Sequence, residues 1–176
     1  MNKRTYRVAL GGMLSALAAT FMFLGGVFPF AEYIGPAAAS LCVLIFRAEF
    51  NIRSSLVMYI AVSLVSLILS SNLESSLLFL CLLGWYPILK EPLEKKTKNP
   101  VTLLIKFSIV NISVLSLYYF LLHVLKLPSL EEELSGGKWI TLSLILMYNL
   151  TFLFYDKLLS MVDLYYRRVL RDKLIR

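Results

Sequence analysis

The charges of this chain fall in short clusters between long apolar stretches. Hydrophobic residues make up 59% of the 176 residues, and charged residues make up only 16%. A helix needs about 20 consecutive apolar residues to cross a bilayer, and several stretches approach that length. A soluble domain of this composition would expose a large apolar surface to water. The sequence therefore predicts an all-α integral membrane protein, a single polytopic domain over residues 1–176 with no separate soluble domain.

Apolar length and periodicity predict a bundle of about six transmembrane helices. The predicted segments span residues 6–28, 30–46, 52–70, 75–89, 101–125 and 139–159. The second segment is expected to be short or kinked, because only about 16 Å of helix separates Pro36 from Arg47 at 1.5 Å per residue. Without this crossing, the lysine-rich stretch 90–98 would lie opposite the basic amino terminus. The distribution of positive charge therefore favours a crossing that starts before Pro36.

Basic clusters recur at every second gap between the apolar segments. They contain Lys3, Arg4 and Arg7; Arg47 and Arg53; Lys90, Lys95, Lys96 and Lys98; and Arg167, Arg168, Arg171, Lys173 and Arg176. The alternate gaps hold acidic residues, Lys126 and Lys138. Because lysine and arginine are retained on the cytoplasmic side during insertion, the sequence predicts a plasma-membrane protein with both termini in the cytoplasm.

The residues of this chain point to no catalytic or metal chemistry. Phosphate-loop, zinc-protease and nucleophile-elbow patterns are missing from the sequence. Cys42 and Cys81 each lie inside an apolar segment, without the spacing of a disulfide framework or a zinc site. The net charge of +7 belongs to segment ends rather than to one soluble face, so it indicates membrane lipid and no nucleic acid. We expect a protein that is not an enzyme and carries no cofactor.

Two charges fall inside or near the ends of predicted segments. Lys106 lies only a few residues into the fifth segment, so its stem is expected to carry the ammonium group to the inner surface. Asp156 is expected to snorkel or to pair locally with Lys157. Residues 84–90, which contain glycine and proline, predict a bend or a helix end without chemistry of its own.

Residues 156–176 are predicted to form an amphipathic basic extension on the cytoplasmic side. Leu158, Val162, Tyr165 and Val169 share one helical stripe, and basic residues interrupt it towards the carboxyl end. Contact with anionic lipid headgroups and docking to a partner protein are both open interpretations of such a helix.

Small residues crowd the first segment. Gly12 and Ala16 are four positions apart, as are Ser15 and Ala19, so each pair shares a helix face that another backbone can approach closely. Such faces serve either packing within the chain or docking to another subunit, and spacing alone leaves both open.

With its basic amino terminus, small-residue-rich first helix and two cytoplasmic termini, the chain resembles the substrate-binding S component of energy-coupling factor (ECF) vitamin transporters. The resemblance covers the overall layout and residues 7–36. In that family the first helix commonly carries an Ala-x-x-x-Ala face that meets a transmembrane coupling subunit, which ATPase subunits drive. Gly12 with Ala16, and Ser15 with Ala19, stand in that place here. The resemblance implies docking to such a coupling subunit through these residues.

The resemblance also implies that a vitamin-sized molecule is captured between the outer helix halves. Glu32 and Tyr33 would belong to the outer loop that covers it. Further candidates are polar residues in outer halves or near the midplane: Asn72, Tyr118, Tyr119, His123, Tyr148 and Asn149. Each also has a structural explanation, because tyrosines anchor at interfaces and asparagines bond between helices. An amide in hydrocarbon needs a partner, so Asn111 or Asn149 is expected to face the bundle interior.

A noncatalytic membrane scaffold, similar to the rod-shape membrane subunits of cell-wall machinery, is the main alternative. It would bind proteins through the same small-residue faces and basic tail, and its bundle would be filled. A self-contained channel is a weaker alternative, because the sequence has no obvious internal repeat.

Overall fold

The structure, a computed structural model, describes residues 3–28, 31–70, 72–96, 99–123 and 138–171, which are helical apart from short turns. The helices are α1 (Lys3–Val27), α2 (Ile34–Glu49), α3 (Ile52–Leu69), α4 (Leu73–Leu78), α5 (Tyr86–Lys96), α6 (Asn99–His123) and α7 (Lys138–Tyr165). A π-helical segment, Phe79–Leu83, joins α4 to the turn before α5, and a second, Tyr166–Leu170, extends α7.

Among the described residues, five stretches are long and apolar enough to cross a membrane. They are Arg4–Val27, Ile52–Leu69, Leu73–Lys95, Val101–His123 and Leu142–Val169. Each corresponds to one of the segments predicted from the sequence. The remaining predicted segment is α2, which has 16 residues and reaches about 24 Å at 1.5 Å per residue. It starts at Ile34, so Pro36 lies in its first turn, where no intrahelical N–H bond is lost. The second segment is thus a short helix.

The span Leu73–Lys95 forms the centre of the bundle. In its apolar 18-residue window 67% of the residues are buried, whereas the corresponding windows of the other four spans have 17–28% of their residues buried. The outer helices turn large apolar side chains such as Ile68, Leu104 and Leu146 away from the protein. Apolar surface of this extent suits lipid and would associate in water.

The central span ends later than the sequence predicted. The predicted fourth segment stopped at residue 89, because Lys90 and Glu91 resembled the start of a polar loop. Instead, α5 continues to Lys96. The reason is that Lys90 is only 4% exposed and lies against the core rather than in solvent.

The helices α1 and α2 pack with their backbones in contact. A Cβ atom on Gly35 would lie 2.7 Å from the Phe21 carbonyl oxygen and 2.8 Å from the Gly25 Cα. Only glycine fits this approach, which brings Ala18 and Met22 of α1 into the core beside Ala39 of α2.

The predicted interruption at Gly84 is present, and it follows the π-helical segment. The Gly84 N–H donates to the Phe79 carbonyl at 2.7 Å, a bond that spans one residue more than in an α-helix. The Tyr59 hydroxyl donates to the Leu80 carbonyl at 2.6 Å. A Cβ on Gly84 would lie 2.7 Å from the Tyr59 ring, so the segment and α3 fit tightly.

The two ends of the bundle differ chemically. At the end we call the basic end, Arg47 pairs with Glu91 at 3.1 Å and Arg171 with Glu49 at 3.2 Å. Tyr6 near the start of α1 also lies there, 6.0 Å from Phe50 between ring centroids. The opposite, distal end carries the turn between α1 and α2 and the start of α4. The first described turn of α1 and the last of α7 therefore share one end of the bundle.

Candidate functional site

Two of the predicted binding residues, Glu32 and Asn72, meet at the distal end. The Asn72 amide donates to Glu32 Oε1 at 2.5 Å, while its oxygen accepts from the Glu74 N–H at 2.8 Å and caps α4. The Ser75 hydroxyl donates to the Glu32 carbonyl at 2.7 Å. These bonds tie the turn between α1 and α2 to the start of the central span.

A second group of predicted residues gathers between the distal halves of α6 and α7. The rings of Tyr118 and Tyr148 meet edge to face, with centroids 6.2 Å apart. Tyr33 and Glu74 lie close enough to interact electrostatically with the Tyr148 hydroxyl. Tyr118 and Tyr148 thus form an aromatic border between α6 and α7, with Tyr33 and Glu74 in its neighbourhood.

Tyr119 and His123 stand apart from this border. Their rings stack with centroids 4.4 Å apart, and the Tyr119 side chain is 64% exposed on the outer face of α6. That face points away from the core, whereas Tyr118 points towards α7. The structure does not bring these two residues to the others.

Asn149 pairs with Asn111 across α6 and α7. The Asn111 amide donates to Asn149 Oδ1 at 3.1 Å, and the Asn149 amide donates back to Asn111 Oδ1 at 3.3 Å. Each also donates to a carbonyl of its own helix at 2.8 Å. Both amides therefore face a partner, where the sequence predicted that Asn111 or Asn149 faces the bundle interior.

The predicted docking residues divide between two faces of α1. Gly12 and Ala16 are exposed, and a Cβ on Gly12 would meet nothing within 4 Å. Ser15 and Ala19 are half-buried at the edge of the inward face. Packing within the chain therefore does not account for Gly12.

A dense cluster of charged and polar side chains in the described residues was not predicted from the sequence. Asp156 on α7 accepts from the Lys106 ammonium at 2.9 Å, from the Tyr86 hydroxyl at 2.6 Å and from the Lys90 ammonium. Glu94 lies 2.7 Å from Lys106 Nζ and 3.4 Å from Lys90 Nζ. We call these residues the Asp156 cluster.

The expectations for Lys106 and Asp156 were both wrong. Lys106 does not extend its ammonium to the surface, since it is only 7% exposed and is held between Asp156 and Glu94. Asp156 pairs with two distant lysines rather than with its neighbour Lys157. Inside a membrane each charge is costly alone, so pairing with opposite charges on adjacent helices stabilises it better than stretching to the interface.

One signal in the sequence could have revealed the cluster. Tyr86 and Lys90 are four apart, so they share the face of one helix, and Lys106 and Asp156 are charges placed inside apolar segments. An intramembrane charge is a reason to seek its partner on another helix. Residues 84–90 therefore contribute Tyr86 and Lys90 to the contacts of the cluster, in addition to the predicted interruption at Gly84.

A cavity of about 260 Å³ adjoins the Asp156 cluster at the basic end. Its walls are Leu44, Arg47 and Ala48 from α2; Pro87, Lys90, Glu91 and Glu94 from α5; and Ser160, Asp163, Leu164 and Arg167 from α7 and its extension. None of the predicted binding residues lines this cavity. Within the described part of the chain, no group of His, Cys, Asp and Glu side chains has the arrangement of a metal site.

The carboxyl-terminal extension continues α7 and packs on its own chain as far as Arg171. Tyr166 is buried, Arg167 Nε lies 2.9 Å from Asp163 Oδ1, and Arg171 reaches Glu49. Of the predicted apolar stripe, Leu158, Tyr165 and Val169 are exposed. Residues 172–176 of the predicted extension lie outside the described residues.

In the part of the chain that the structure describes, five helices are long and apolar enough to cross a membrane, and most of them turn apolar side chains outwards. These features indicate a multi-pass helical membrane protein. No family model, characterised protein or solved structure matches the chain.

Proposed function

We propose that this protein is the substrate-capture subunit of an ECF-type importer for a vitamin-sized molecule, with external ATPase and transmembrane coupling subunits as partners. The proposal includes six crossings, with α2 as the short one, and both termini in the cytoplasm. The observation that carries it is the outward exposure of Gly12 and Ala16 on α1.

The two faces of α1 explain why this exposure favours a partner. Leu14, Ala18 and Met22 fill the inward face, so the helix is already anchored in its own bundle. Small residues on the outward face gain little from contact with lipid, but they let another helix approach closely. The family resemblance implies that this partner is a transmembrane coupling subunit.

The distal end offers the place for the ligand. Glu32 and Asn72 supply polar groups, and Tyr33, Tyr118 and Tyr148 supply aromatic surface from three parts of the chain. Ligand sites commonly combine aromatic walls with a few convergent polar groups. A bound molecule would exchange its own polar contacts for the bond between Glu32 and Asn72. Tyr119, His123 and Asn149 are weaker candidates for ligand binding. Tyr119 and His123 stack on the outer face of α6, and Asn149 pairs with Asn111.

One observation favours the scaffold alternative. The polar side chains at the distal end satisfy one another, and the 260 Å³ cavity lies at the basic end. Polar side chains that satisfy one another in this way are what a noncatalytic scaffold of cell-envelope machinery would have.

Copurification from the native membrane separates the two functions. We expect the wild-type protein to bring down a coupling subunit with ATPase subunits, and Ala16→Leu to reduce their recovery by about tenfold, because leucine blocks close helix approach. Ala61→Leu is the matched control, since Ala61 is an exposed alanine on α3. It should leave recovery unchanged.

Native mass spectrometry of the same preparation tests the ligand. A vitamin-sized adduct that is lost in Asn72→Ala supports capture at the distal end. Cell-envelope proteins as the recovered partners, without an adduct, would replace the importer with the scaffold. Equal loss of partners in Ala16→Leu and Ala61→Leu would show that the outward face of α1 at Gly12 and Ala16 is not a specific docking face.

A further inference from the structure

Two stretches of chain at the distal end each contribute to both groups of side chains described there. Glu32 and Tyr33 are adjacent, and Asn72 and Glu74 are two positions apart at the start of α4. Glu32 meets Asn72, whereas Tyr33 and Glu74 interact electrostatically with the hydroxyl of Tyr148. The carboxylate of Glu32 and the tyrosine rings are therefore neighbours at one end of the bundle.

The charge of the distal end is negative. On this side of the bundle the sequence places five glutamates and two lysines: Glu32, Glu74, Glu131, Glu132, Glu133, Lys126 and Lys138. Among the described residues no cation pairs with the Glu32 carboxylate, which accepts from the neutral amide of Asn72 at 2.5 Å. A surface of negative potential raises the local concentration of cations. The sign of the charge thus favours a positively charged ligand.

Tyrosine rings supply a second feature that suits a cation. The rings of Tyr118 and Tyr148 meet edge to face with centroids 6.2 Å apart, and Tyr33 is 56% exposed just before α2. The face of an aromatic ring is electronegative, so it attracts a cation that lies within about 6 Å of its centre. Ring faces beside a carboxylate therefore suit a cation that also has an apolar body.

The geometry favours an organic cation over a metal ion. A metal ion such as Ca²⁺ takes about six to eight oxygen ligands around one point. The described ranges of the chain hold no group of His, Cys, Asp and Glu side chains in such an arrangement. An organic cation needs only ring faces and one counter-charge, and the distal end offers both.

We propose that the molecule captured at the distal end is an organic cation of vitamin size. Its positive group replaces the Asn72 amide as the partner of the Glu32 carboxylate, which exchanges a neutral donor for a charged one. Its apolar body lies on the rings of Tyr33, Tyr118 and Tyr148. This inference rests on the proposed capture function and adds to it the charge of the ligand.

Three probes that share one ring test the charge of the ligand on the purified full-length protein in detergent. They are nicotinamide methylated at its ring nitrogen, which is a cation; nicotinamide itself, which is neutral; and nicotinate, which is an anion. We expect isothermal titration to show that the cation binds about fivefold more tightly than nicotinamide, because one cation–π contact at an exposed site is worth about two- to fivefold. Nicotinate should bind most weakly, since it meets like charge.

The variant Glu32→Gln separates charge from folding. Glutamine keeps an oxygen that can accept from the Asn72 amide, so the loss of charge alone should weaken binding of the cation by up to about fivefold. Asp163→Asn is the matched control, because it removes one carboxylate at the basic end. It should change binding by less than about twofold, since the two ends are farther apart than the Debye length of about 10 Å at 0.1 M salt.

Substitution of Tyr33 tests the contribution of the ring. Tyr33→Ala should weaken binding of the cation by about two- to fivefold, whereas Tyr33→Phe keeps the ring face and should lose less. Because Tyr33 is exposed, both variants should unfold near the temperature of the wild type. A loss of binding in Tyr33→Ala would then reflect the missing ring and not a loss of fold.

Several outcomes would overturn the inference. They are equal affinity for the three probes, tightest binding of nicotinate, no binding of the cation, and equal effects of Glu32→Gln and Asp163→Asn. If the wild type still brings down coupling and ATPase subunits in any of these cases, the capture function stands and its ligand is not a cation. Failure to recover these subunits would instead remove the capture function itself.

Discussion

Asp156 is a single carboxylate that binds side chains from two other helices. Lys90 and Tyr86 reach it from α5, and Lys106 reaches it from α6. Because Lys90 also donates to the Asp156 carbonyl at 2.7 Å, the backbone of α7 takes part. At the basic end, α7 is thus joined to α5 and α6 through this carboxylate, while Glu94 adds a second negative charge between α5 and α6.

Replacing this carboxylate should be strongly destabilising. Asp156→Asn leaves Lys90 and Lys106 with Glu94 as their remaining counter-charge, and breaking a buried ion pair costs about 3–5 kcal/mol. Asp163→Asn is the matched control, since it removes a partly exposed pair with Arg167 on the same helix, worth about 0–1 kcal/mol. The free energy of unfolding in detergent checks the difference. Similar losses in both variants would mean that Asp156 is solvated.

At the scale of helices, the contact between α1 and α2 is the least tolerant of change. A methyl group at Gly35 would collide with backbone atoms of Phe21 and Gly25, which cannot move as a side-chain tip can. The hairpin formed by α1 and α2 carries both Gly12 and the turn with Glu32, so its geometry affects both ends of the proposed mechanism.

Alanine substitution compares this contact with an open position on the same hairpin. Gly35→Ala should lower the free energy of unfolding by about 1–3 kcal/mol, as overpacking does. Gly12→Ala has open space around the added methyl group and should change stability by less than about 1 kcal/mol. Unfolding measurements on both variants check this. A tolerated Gly35→Ala would show that α1 and α2 are farther apart than described.

Helix limits were predictable where apolar length decides them and unpredictable where contacts between helices decide them. The third segment was placed at 52–70 and the helix is Ile52–Leu69, because hydrocarbon thickness sets its length. The predicted fourth segment ends at residue 89, seven residues before the end of α5, because the sequence alone indicates that Lys90 lies in solvent. Lys90 and Asp156 are 66 positions apart, and periodicity along one segment carries no information about such a pair.

The same limit applies to the candidate site. The sequence indicated which polar residues lie towards the distal end, and Glu32 does meet Asn72 there. It could not distinguish Tyr118 from Tyr119, because adjacent residues on a helix face about 100° apart and the direction of the core is set by the other helices. The cavity beside Arg47 is lined by residues of three helices, so no single stretch of sequence could predict it.

At the scale of the whole molecule, the two ends of the bundle should lie on opposite sides of the membrane. Arg53 marks the basic end beside α1, where Arg7 lies 3.5 Å from Ser54, and Glu74 marks the distal end. In our proposal the basic end faces the cytoplasm, as the distribution of lysine and arginine favours.

Cysteine labelling in intact cells tests this orientation. In a background with Cys42 and Cys81 replaced by alanine, Glu74→Cys should react with a membrane-impermeant maleimide, while Arg53→Cys should react only after permeabilisation. Reversed labelling would place the termini outside. Labelling of both from the same side would show that α3 does not cross.

The π-helical segment also gives a rule for recognising relatives of this chain. A π-helical turn contains one residue more than the α-helical turn it replaces, and here it comes just before Tyr86 and Lys90. A relative with an unbroken α-helix at this place would need its tyrosine and lysine displaced by one position to reach the same aspartate. Such a relative should therefore be aligned with a single-residue gap inside residues 79–83, and an alignment without the gap would pair the wrong faces of the central helix.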